Sequence, residues 1–187
     1  MRIIGGRWKG LRLTPVGKGD TGAHLRPTSD RVRESLFNLL MGGRYGDPMT
    51  DSVVLDLFAG TGALGLEALS RGAARVTFVD DGRVSSKLLS ANVKLCGATE
   101  ARHVKRDATR LPKCDEERAN LIFHDPPYGK GLGEKALASA LEMGWLATDA
   151  LIVWEESHEI HPPAGVNVHE KRRYGDTQLN ILRLELS

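Results

Sequence analysis

The sequence predicts an α/β fold built on a doubly wound, mainly parallel sheet with helices on both faces. Two observations carry this prediction. Short apolar runs alternate with longer amphipathic segments through the middle of the chain, as expected of repeated β-α units. The last two apolar runs have only a polar turn between them, which predicts an antiparallel hairpin at the end of the sheet. With 187 residues, 41% of them hydrophobic, the chain is long enough for one domain and a small appendage.

The N-terminal segment predicts a β-hairpin or small ribbon, followed by a helix. Ile3-Ile4 and residues 11–13 flank a glycine-rich stretch, which is typical of two short strands joined by a turn. Pro27-Thr28-Ser29-Asp30 supplies a cap for a helix that Gly42-Gly43 ends. We therefore divide the chain into a basic β extension, residues 1–24, and a main domain, residues 25–187.

The alternating elements follow in order along the main domain. Strands are predicted at residues 53–55, 75–79, from 103, 121–124 and 151–154, and helices at 63–71, 84–96 and 133–143. Gly72 and Gly97 stop the first two of these helices. The closing hairpin is predicted from residues 166–169 and 180–184.

Charge is distributed unevenly although the net charge is only +2. Residues 1–33 carry eight basic and two acidic side chains, whereas the remainder carries four more acidic than basic ones. A basic arm on a slightly acidic body is typical of a protein that binds nucleic acid. A solvated surface hairpin explains the charges equally well.

Other compositional features narrow the class of protein. Cys96 and Cys114 stand alone, without a CxxC motif or a nearby pair of histidines, so we expect reduced cysteines and no metal site. The first residues lack the apolar stretch of a signal peptide, and no apolar run approaches the length of a membrane span. A cytoplasmic protein without a membrane partner is the expectation.

The first predicted strand runs into a glycine-rich loop, DLFAGTGALG, which satisfies GxGxxG at Gly60, Gly62 and Gly65. This motif alone would also fit a nicotinamide dinucleotide. However, Asp56 stands four residues before the first glycine, where a carboxylate would repel pyrophosphate and favour an ammonium or sulfonium. Asp80, after the second strand, is placed to hold ribose hydroxyls. The combination favours S-adenosylmethionine.

A second motif, Asp125-Pro126-Pro127-Tyr128, follows the fourth strand. A carboxylate there lies at the carboxyl end of a buried strand, where open α/β sheets bind ligands. The two prolines fix the backbone, so their carbonyls point in a preset direction. An acceptor, a rigid carbonyl and an aromatic ring together suit a planar ligand with an exocyclic amino group. The alternative is a proline-stiffened turn with a core tyrosine.

These motifs together resemble class I methyltransferases that act on exocyclic amines. The segments MRIIGGRWKGLRL, LRPTSDRVRESLFNLL, GWLATDALIVWEE and YGDTQLNILRL also resemble the RsmD family, in order and over nearly the whole chain. The resemblance implies a Rossmann-like sheet of seven strands, the last one antiparallel, with a small N-terminal β extension. It implies transfer of a methyl group from S-adenosylmethionine to the N2 of a guanine in 16S ribosomal RNA.

The resemblance also implies roles for residues. The loop from Asp56 to Gly62 would wrap the methionine and ribose portions of the cofactor, Asp80 would hold the ribose, and Asp107 would bind the adenine amino group. Asp125 to Tyr128 would hold the target base. In full, the expected cofactor residues are Asp56, Phe58, Ala59, Gly60, Thr61, Gly62, Asp80, Asp107 and Ala108, and the expected RNA-binding residues are Arg2, Arg7, Trp8, Lys9, Arg12, Arg26 and Arg31.

Several assignments stay open at this point. Asp81 follows Asp80 directly, so the two acids can share the ribose, and we favour Asp80. His124 is more simply a packed, hydrogen-bonded histidine than a catalytic base. Glu155 and Glu156 are interpreted as solvated charges at a strand end rather than as pocket residues. Trp8 can stack on RNA or stabilise the extension.

Alternative functions follow from the same open points. The chemistry could act on another substrate, such as DNA adenine or cytosine, another RNA, protein glutamine or a small molecule. A nicotinamide-dependent oxidoreductase and a noncatalytic RNA-binding protein are the candidates of other classes. The leading expectation is a monomeric enzyme that acts on 16S ribosomal RNA, either naked or within an assembling small-subunit particle.

Overall fold

A computed structural model describes residues 1–17 and 28–185, and within them a seven-stranded sheet forms the centre of the molecule. The strands are β1 Val53–Leu57, β2 Arg75–Val79, β3 Ala101–Val104, β4 Ala119–His124, β5 Leu146–Glu156, β6 Val166–Tyr174 and β7 Thr177–Leu184. Their order is β3-β2-β1-β4-β5-β7-β6. Strands β1 to β5 are parallel, and β7 runs antiparallel to both β5 and β6. The predicted fold class is confirmed, including the antiparallel last strand.

In the described part of the chain, four helices cover the sheet on its two faces. They are α1 Asp30–Met41, α2 Ala63–Ser70, α3 Arg83–Cys96 and α4 Leu132–Glu142. Because side chains alternate along a strand, Val54 of β1 packs with α1, α2 and α3, whereas Leu55 and Leu57 pack with α4. The two apolar clusters place the helices on opposite faces, as the sequence predicts.

The ends of the helices follow the predicted signals. Ser29 precedes α1, and its Oγ accepts a hydrogen bond from the backbone N–H of Val32 at 3.3 Å. Gly97 ends α3 with φ +61°, and the backbone N–H of Ala98 donates to the carbonyl of Val93 at 3.0 Å. The strand β5 is longer than predicted, because its pairing with β4 continues, through a register shift, back to Leu146.

The N-terminal extension is a small antiparallel ribbon, not a hairpin of two regular strands. Its two arms pair at a single antiparallel bridge, Arg2 with Arg12, and a short 3-10 turn, Gly6–Trp8, lies between them. The turn packs against the end of α2 so closely that a Cβ on Gly6 would lie 1.7 Å from the carbonyl oxygen of Ser70. Backbone hydrogen bonds also join the arms, from Ile3 N–H to the Leu11 carbonyl at 2.9 Å and from Leu13 N–H to the Met1 carbonyl at 3.1 Å. The arms therefore form a short antiparallel ribbon without two regular strands.

The extension is fastened to the main domain by buried contacts. Ile3 and Leu13 are buried in the apolar cluster of α1 and α2. The buried carboxylate of Glu67 on α2 accepts the backbone N–H groups of Ile4 and Gly5, both at 2.8 Å. The predicted domain boundary near residue 24 lies outside the described residues. No helix in the described part of the chain is long and apolar enough to cross a membrane.

Candidate active site

A cavity of about 680 Å³ opens at the carboxyl edge of the sheet. Loops that follow β1, β2, β3 and β4 converge on it, together with residues in and just before α1. The lining residues are Thr28, Arg33, Asp56, Phe58, Ala59, Gly60, Thr61, Ala63, Leu64, Asp80, Asp81, Gly82, Ser85, Asp107, Asp125, Pro126, Pro127, Tyr128, Lys130 and Leu132. All predicted cofactor and catalytic residues except Gly62 and Ala108 are in this set. Ala108 is instead buried in the apolar cluster beneath α4.

The loop after β1 is organised by Asp56. Its buried Oδ2 accepts the backbone N–H of Gly65 at 3.0 Å, so the carboxyl group caps α2 from the strand. Burial, opposed by this bond and aided by the charge of Asp80, raises the pKa of Asp56 to about 8. Gly62 begins the helix with φ +79°, and a Cβ there would lie 2.4 Å from Leu89. Phe58 also has a positive φ, +59°, which is uncommon for a bulky residue and frequent at ligand sites.

Asp80 connects the loops after β1 and β2. Its two oxygens accept the backbone N–H groups of Gly60, at 2.9 Å, and Gly82, at 2.8 Å. A carboxylate has further lone pairs, so both oxygens can still accept ligand hydroxyls. Asp81 is exposed and lines the same part of the cavity.

Asp107 follows β3 and caps a short 3-10 turn, Ala108–Arg110. Its Oδ1 accepts the backbone N–H and the hydroxyl of Thr109, both at 2.8 Å. These bonds favour the ionised form and lower the pKa of Asp107. The side chain therefore presents a carboxylate at the end of the cavity beyond Asp80.

The motif after β4 places all four of its residues in the cavity wall. Asp125 carries a pKa well above its ordinary value, chiefly because it is desolvated, and then because Glu155, Asp56 and Glu156 are negatively charged neighbours. Tyr128 is half-buried, and its hydroxyl donates to Glu155 Oε1 at 2.6 Å. The tyrosine is thus a cavity residue and not only a core aromatic.

The interpretation of Glu155 and Glu156 as solvated charges is wrong. Both residues belong to β5 and are buried, because this strand runs past Trp154 into the interior next to β7. Glu155 accepts hydrogen bonds from Tyr128 and from the hydroxyl of Thr28, the latter at 2.8 Å. Extending the predicted strand by two residues would have placed them correctly.

Arg33 was not among the predicted site residues, yet it lines the cavity with a fully buried side chain. Its Nη2 donates to the carbonyl of Arg2 at 2.7 Å and to Asp30 Oδ1 at 2.6 Å. Within the described structure, Nε and Nη1 have no acceptor. The sequence does contain a signal for this position. Arg33 has helical spacing with Leu36, Phe37 and Leu40, which puts it on the buried face of α1.

His124 is packed and hydrogen-bonded, as expected. Its Nε2 lies 2.9 Å from the carbonyl oxygen of Gly133, and its ring lies against Phe58 and Trp154. Burial lowers the pKa of His124 to about 4. The ring is neutral at physiological pH and does not line the cavity.

The predicted RNA-binding side chains lie on the surface of the extension and of α1. Arg2, Arg7, Lys9, Arg12 and Arg31 are exposed. Arg26 lies outside the described residues. Trp8 is half-buried, and the guanidinium of Arg7 covers one face of its ring at 4.1 Å. One face of the indole is therefore already occupied within the extension, and Arg7 also pairs with Glu100 at 2.9 Å.

Comparison with known proteins identifies close relatives over nearly the full chain. Residues 1–183 match the family model Conserved hypothetical protein 95. The ribosomal RNA small subunit methyltransferase D of Escherichia coli is 39% identical over 99% of this chain and 90% of its own length. The enzyme of that name from Haemophilus influenzae is 37% identical over 83% of this chain and 78% of its own length.

Solved structures agree with the sequence relatives. The yhhF protein of Escherichia coli superposes with a TM-score of 0.82 at 36% identity, covering 99% of this chain and 98% of that protein. TrmN from Thermus thermophilus, at 21% identity and a TM-score of 0.65 over 82% of this chain and 48% of its own, shares the fold alone. The motifs, the family model and the full-length relatives all agree, and the chain belongs to the RsmD family of methyltransferases.

Proposed function

We propose that this protein transfers a methyl group from S-adenosylmethionine to the exocyclic N2 of a guanine in 16S ribosomal RNA. The observation that carries the proposal is one cavity that joins two kinds of site. Acceptors suited to an adenosine follow β2 and β3, and the DPPY acceptors follow β4, at the same edge of the sheet. The names of the relatives support ribosomal RNA as the substrate.

The lining residues fit this cofactor. Asp80, with Asp81 beside it, offers acceptors to ribose hydroxyls, and Asp107 offers an acceptor to the adenine amino group. Asp56 lies between these aspartates and the DPPY motif, where its carboxyl group suits the ammonium group of the cofactor's methionine portion. Among the described residues, Nε and Nη1 of Arg33 are buried without an acceptor, and their N–H groups suit the cofactor carboxylate.

The acidic lining of the cavity argues against a nicotinamide dinucleotide. Five aspartates line the cavity: Asp56, Asp80, Asp81, Asp107 and Asp125. Pyrophosphate needs unopposed N–H donors at the start of α2, but Asp56 already occupies the N–H of Gly65. A phosphate-free, cationic tail is the better match.

The protein's part in the chemistry is to orient and polarise a poor nucleophile. When bound, S-adenosylmethionine would supply an electrophilic methyl group: the N–C bond forms as the C–S bond breaks, neutral S-adenosylhomocysteine leaves, and N2 loses one proton to Asp125 or to water. The Asp125 carboxylate and the Pro126 carbonyl accept the two N2–H groups of guanine, which localises the nitrogen lone pair toward that methyl. Tyr128 stacks on the base and holds it in line. Orientation and preorganised electrostatics of this kind supply most of the rate enhancement, and a paired base must first be exposed.

The extension, residues 1–24, completes the proposal as the RNA-binding part, with Arg2, Arg7, Lys9 and Arg12 contacting phosphates together with Arg26 and Arg31. The decisive experiment is mass spectrometry of 16S ribosomal RNA nucleosides from a strain that lacks the gene. We expect loss of one N2-methylguanosine, restored by the wild-type protein and not by Asp125→Ala. An unchanged nucleoside profile, with S-adenosylmethionine binding intact, would move the substrate to another exocyclic amine.

A further inference from the structure

Glu155 of β5 connects three separate segments of the chain at the cavity. Its Oε1 accepts the hydroxyl of Tyr128 at 2.6 Å, and its Oε2 accepts the hydroxyl of Thr28 at 2.8 Å. The Tyr128 hydroxyl also lies 3.2 Å from Oγ1 of Thr177 at the start of β7. Glu155 is buried, so these hydrogen bonds are shielded from water. Hydrogen bonds to a charged group are stronger in the protein interior than in water.

The loop that carries Tyr128 contains no helix or strand in the described structure. Gly129 and Gly131 follow directly, both with positive φ, and no regular element begins before Leu132. A tyrosine ring turns about two side-chain bonds. Fixing the hydroxyl oxygen fixes the first torsion, and with it the position of the ring. The preference of the phenolic O–H for the ring plane restricts rotation about the second bond, since the hydroxyl is directed at Glu155. The anchored ring then presents a defined face to the cavity that it lines.

We propose that Glu155 is a positioning residue, which acts through the Tyr128 hydroxyl to hold the ring in the orientation that receives the target base. This role rests on the proposed function. It assigns to the buried end of β5 a part in methyl transfer that requires no contact between Glu155 and either substrate.

Glu156 provides a matched control within the same strand. It is an equally buried acid and, like Glu155, its charge raises the pKa of Asp125. Its Oε1, however, accepts the backbone N–H of Ser157 at 2.8 Å and has no bond to Tyr128. Effects that arise from negative charge near Asp125 are therefore common to both glutamates, whereas effects on the tyrosine belong to Glu155 alone.

The test is a double-mutant cycle on single-turnover methyl transfer to 16S ribosomal RNA, with saturating enzyme and S-adenosylmethionine. We expect Tyr128→Phe and Glu155→Ala each to slow transfer about tenfold. The double variant should be no slower than the worse single variant, because both substitutions break the same hydrogen bond between Tyr128 and Glu155. Glu155→Gln keeps an acceptor for the phenol and should remain within about threefold of the wild type.

Several outcomes would overturn the role. Losses that multiply in the Glu155→Ala, Tyr128→Phe double variant show that the two residues act independently. The same strong coupling between Glu156→Gln and Tyr128→Phe would assign the effect to charge. S-adenosylhomocysteine affinity, measured by calorimetry, must stay within about twofold in every variant, since a general collapse of the pocket would lower it. A wild-type protein that binds cofactor but methylates no 16S RNA would instead refute the proposed function.

Discussion

Asp125 is the residue whose removal should separate chemistry from cofactor binding. It lines the cavity after β4, away from the acceptors after β2 and β3. Asp125→Asn keeps the shape but replaces one acceptor oxygen with a donor that would face the target amine. We expect transfer to fall at least 100-fold, about 2.7 kcal/mol of barrier, with S-adenosylhomocysteine affinity within about twofold. Transfer within tenfold of the wild type would show that another group receives the amine.

The raised pKa of Asp125 predicts how transfer depends on pH. Only the ionised carboxylate has both oxygens free to accept from N2–H, so the single-turnover rate should rise as the pH increases through this pKa. Asp56, Glu155 and Glu156 are the acidic neighbours that raise it. Glu156→Gln removes one negative charge, lowers the pKa and should move the rise to lower pH. If the pH at which the rate rises is unchanged in Glu156→Gln, the rise belongs to a group other than Asp125.

Arg33 predicts that the protein distinguishes cofactor analogues by their carboxylate. Calorimetry with S-adenosylmethionine and its decarboxylated analogue isolates this group, and we expect at least a tenfold preference, about 1.4 kcal/mol, for the former. Arg33→Met should abolish the preference by weakening only the carboxylate-bearing ligand. The matched control is Arg118→Met, the same change at an exposed arginine just before β4. Equal affinities for the two ligands in the wild type would exclude this role even if the variant fails to fold.

At the scale of elements, the contact between α2 and β2 makes its own prediction. Gly65 is so close to the sheet that an added Cβ would lie 2.4 Å from Phe78 and 2.7 Å from Val76. Gly65→Ala should push the start of α2 away from the sheet and disturb the cap from Asp56. We expect a loss of about 1–3 kcal/mol in the free energy of unfolding, measured with urea, together with weaker S-adenosylhomocysteine binding. Unchanged stability would mean that the helix shifts without cost.

The sequence predicted the elements well where a periodic apolar pattern met a clear stop signal. Strand β1, helix α3 with Gly97, and the β6–β7 hairpin all follow from local physics. Local patterns can place the glutamates on β5 and Arg33 on the buried face of α1, but they cannot show which groups these side chains contact. Their burial depends on partners distant in sequence, Tyr128 for Glu155 and the carbonyl of Arg2 for Arg33, which only tertiary structure brings together.

At the scale of the whole molecule, the extension supports the cofactor site as well as carrying charge. The backbone N–H of Thr14 donates to Oδ1 of Asn92 at 2.8 Å, and Nδ2 of Asn92 donates to the carbonyl of Thr61 in the β1–α2 loop at 2.9 Å. The backbone carbonyl of Arg2 accepts a hydrogen bond from Arg33 at the cavity wall. Deleting the extension would remove these contacts together with Ile3 and Leu13 and expose the apolar surface of α1 and α2 that these two residues cover. Its role in RNA binding must therefore be tested without shortening the chain.

Neutralising its exposed charges provides that test. Replacing Arg2, Arg7, Lys9 and Arg12 with Gln leaves Ile3, Leu13 and the backbone bonds to Glu67 in place. Each phosphate contact contributes about 0.7 to 0.9 to the slope of log affinity against log salt concentration. If all four engage RNA, the variant should bind 16S RNA more weakly, with a slope shallower by roughly 3. Its affinity for S-adenosylhomocysteine should be unchanged.

A second quadruple variant controls for net charge. Arg75, Lys94, Lys113 and Arg118 are exposed and lie at the amino edge of the sheet, opposite the cavity. Replacing them with Gln also removes four positive charges, but the salt slope should stay close to that of the wild type because none of the four is a proposed phosphate contact. Equal changes in both variants would mean that RNA responds to the overall charge of the protein. A slope that changes only when the extension is neutralised would locate the phosphate contacts on residues 2–12.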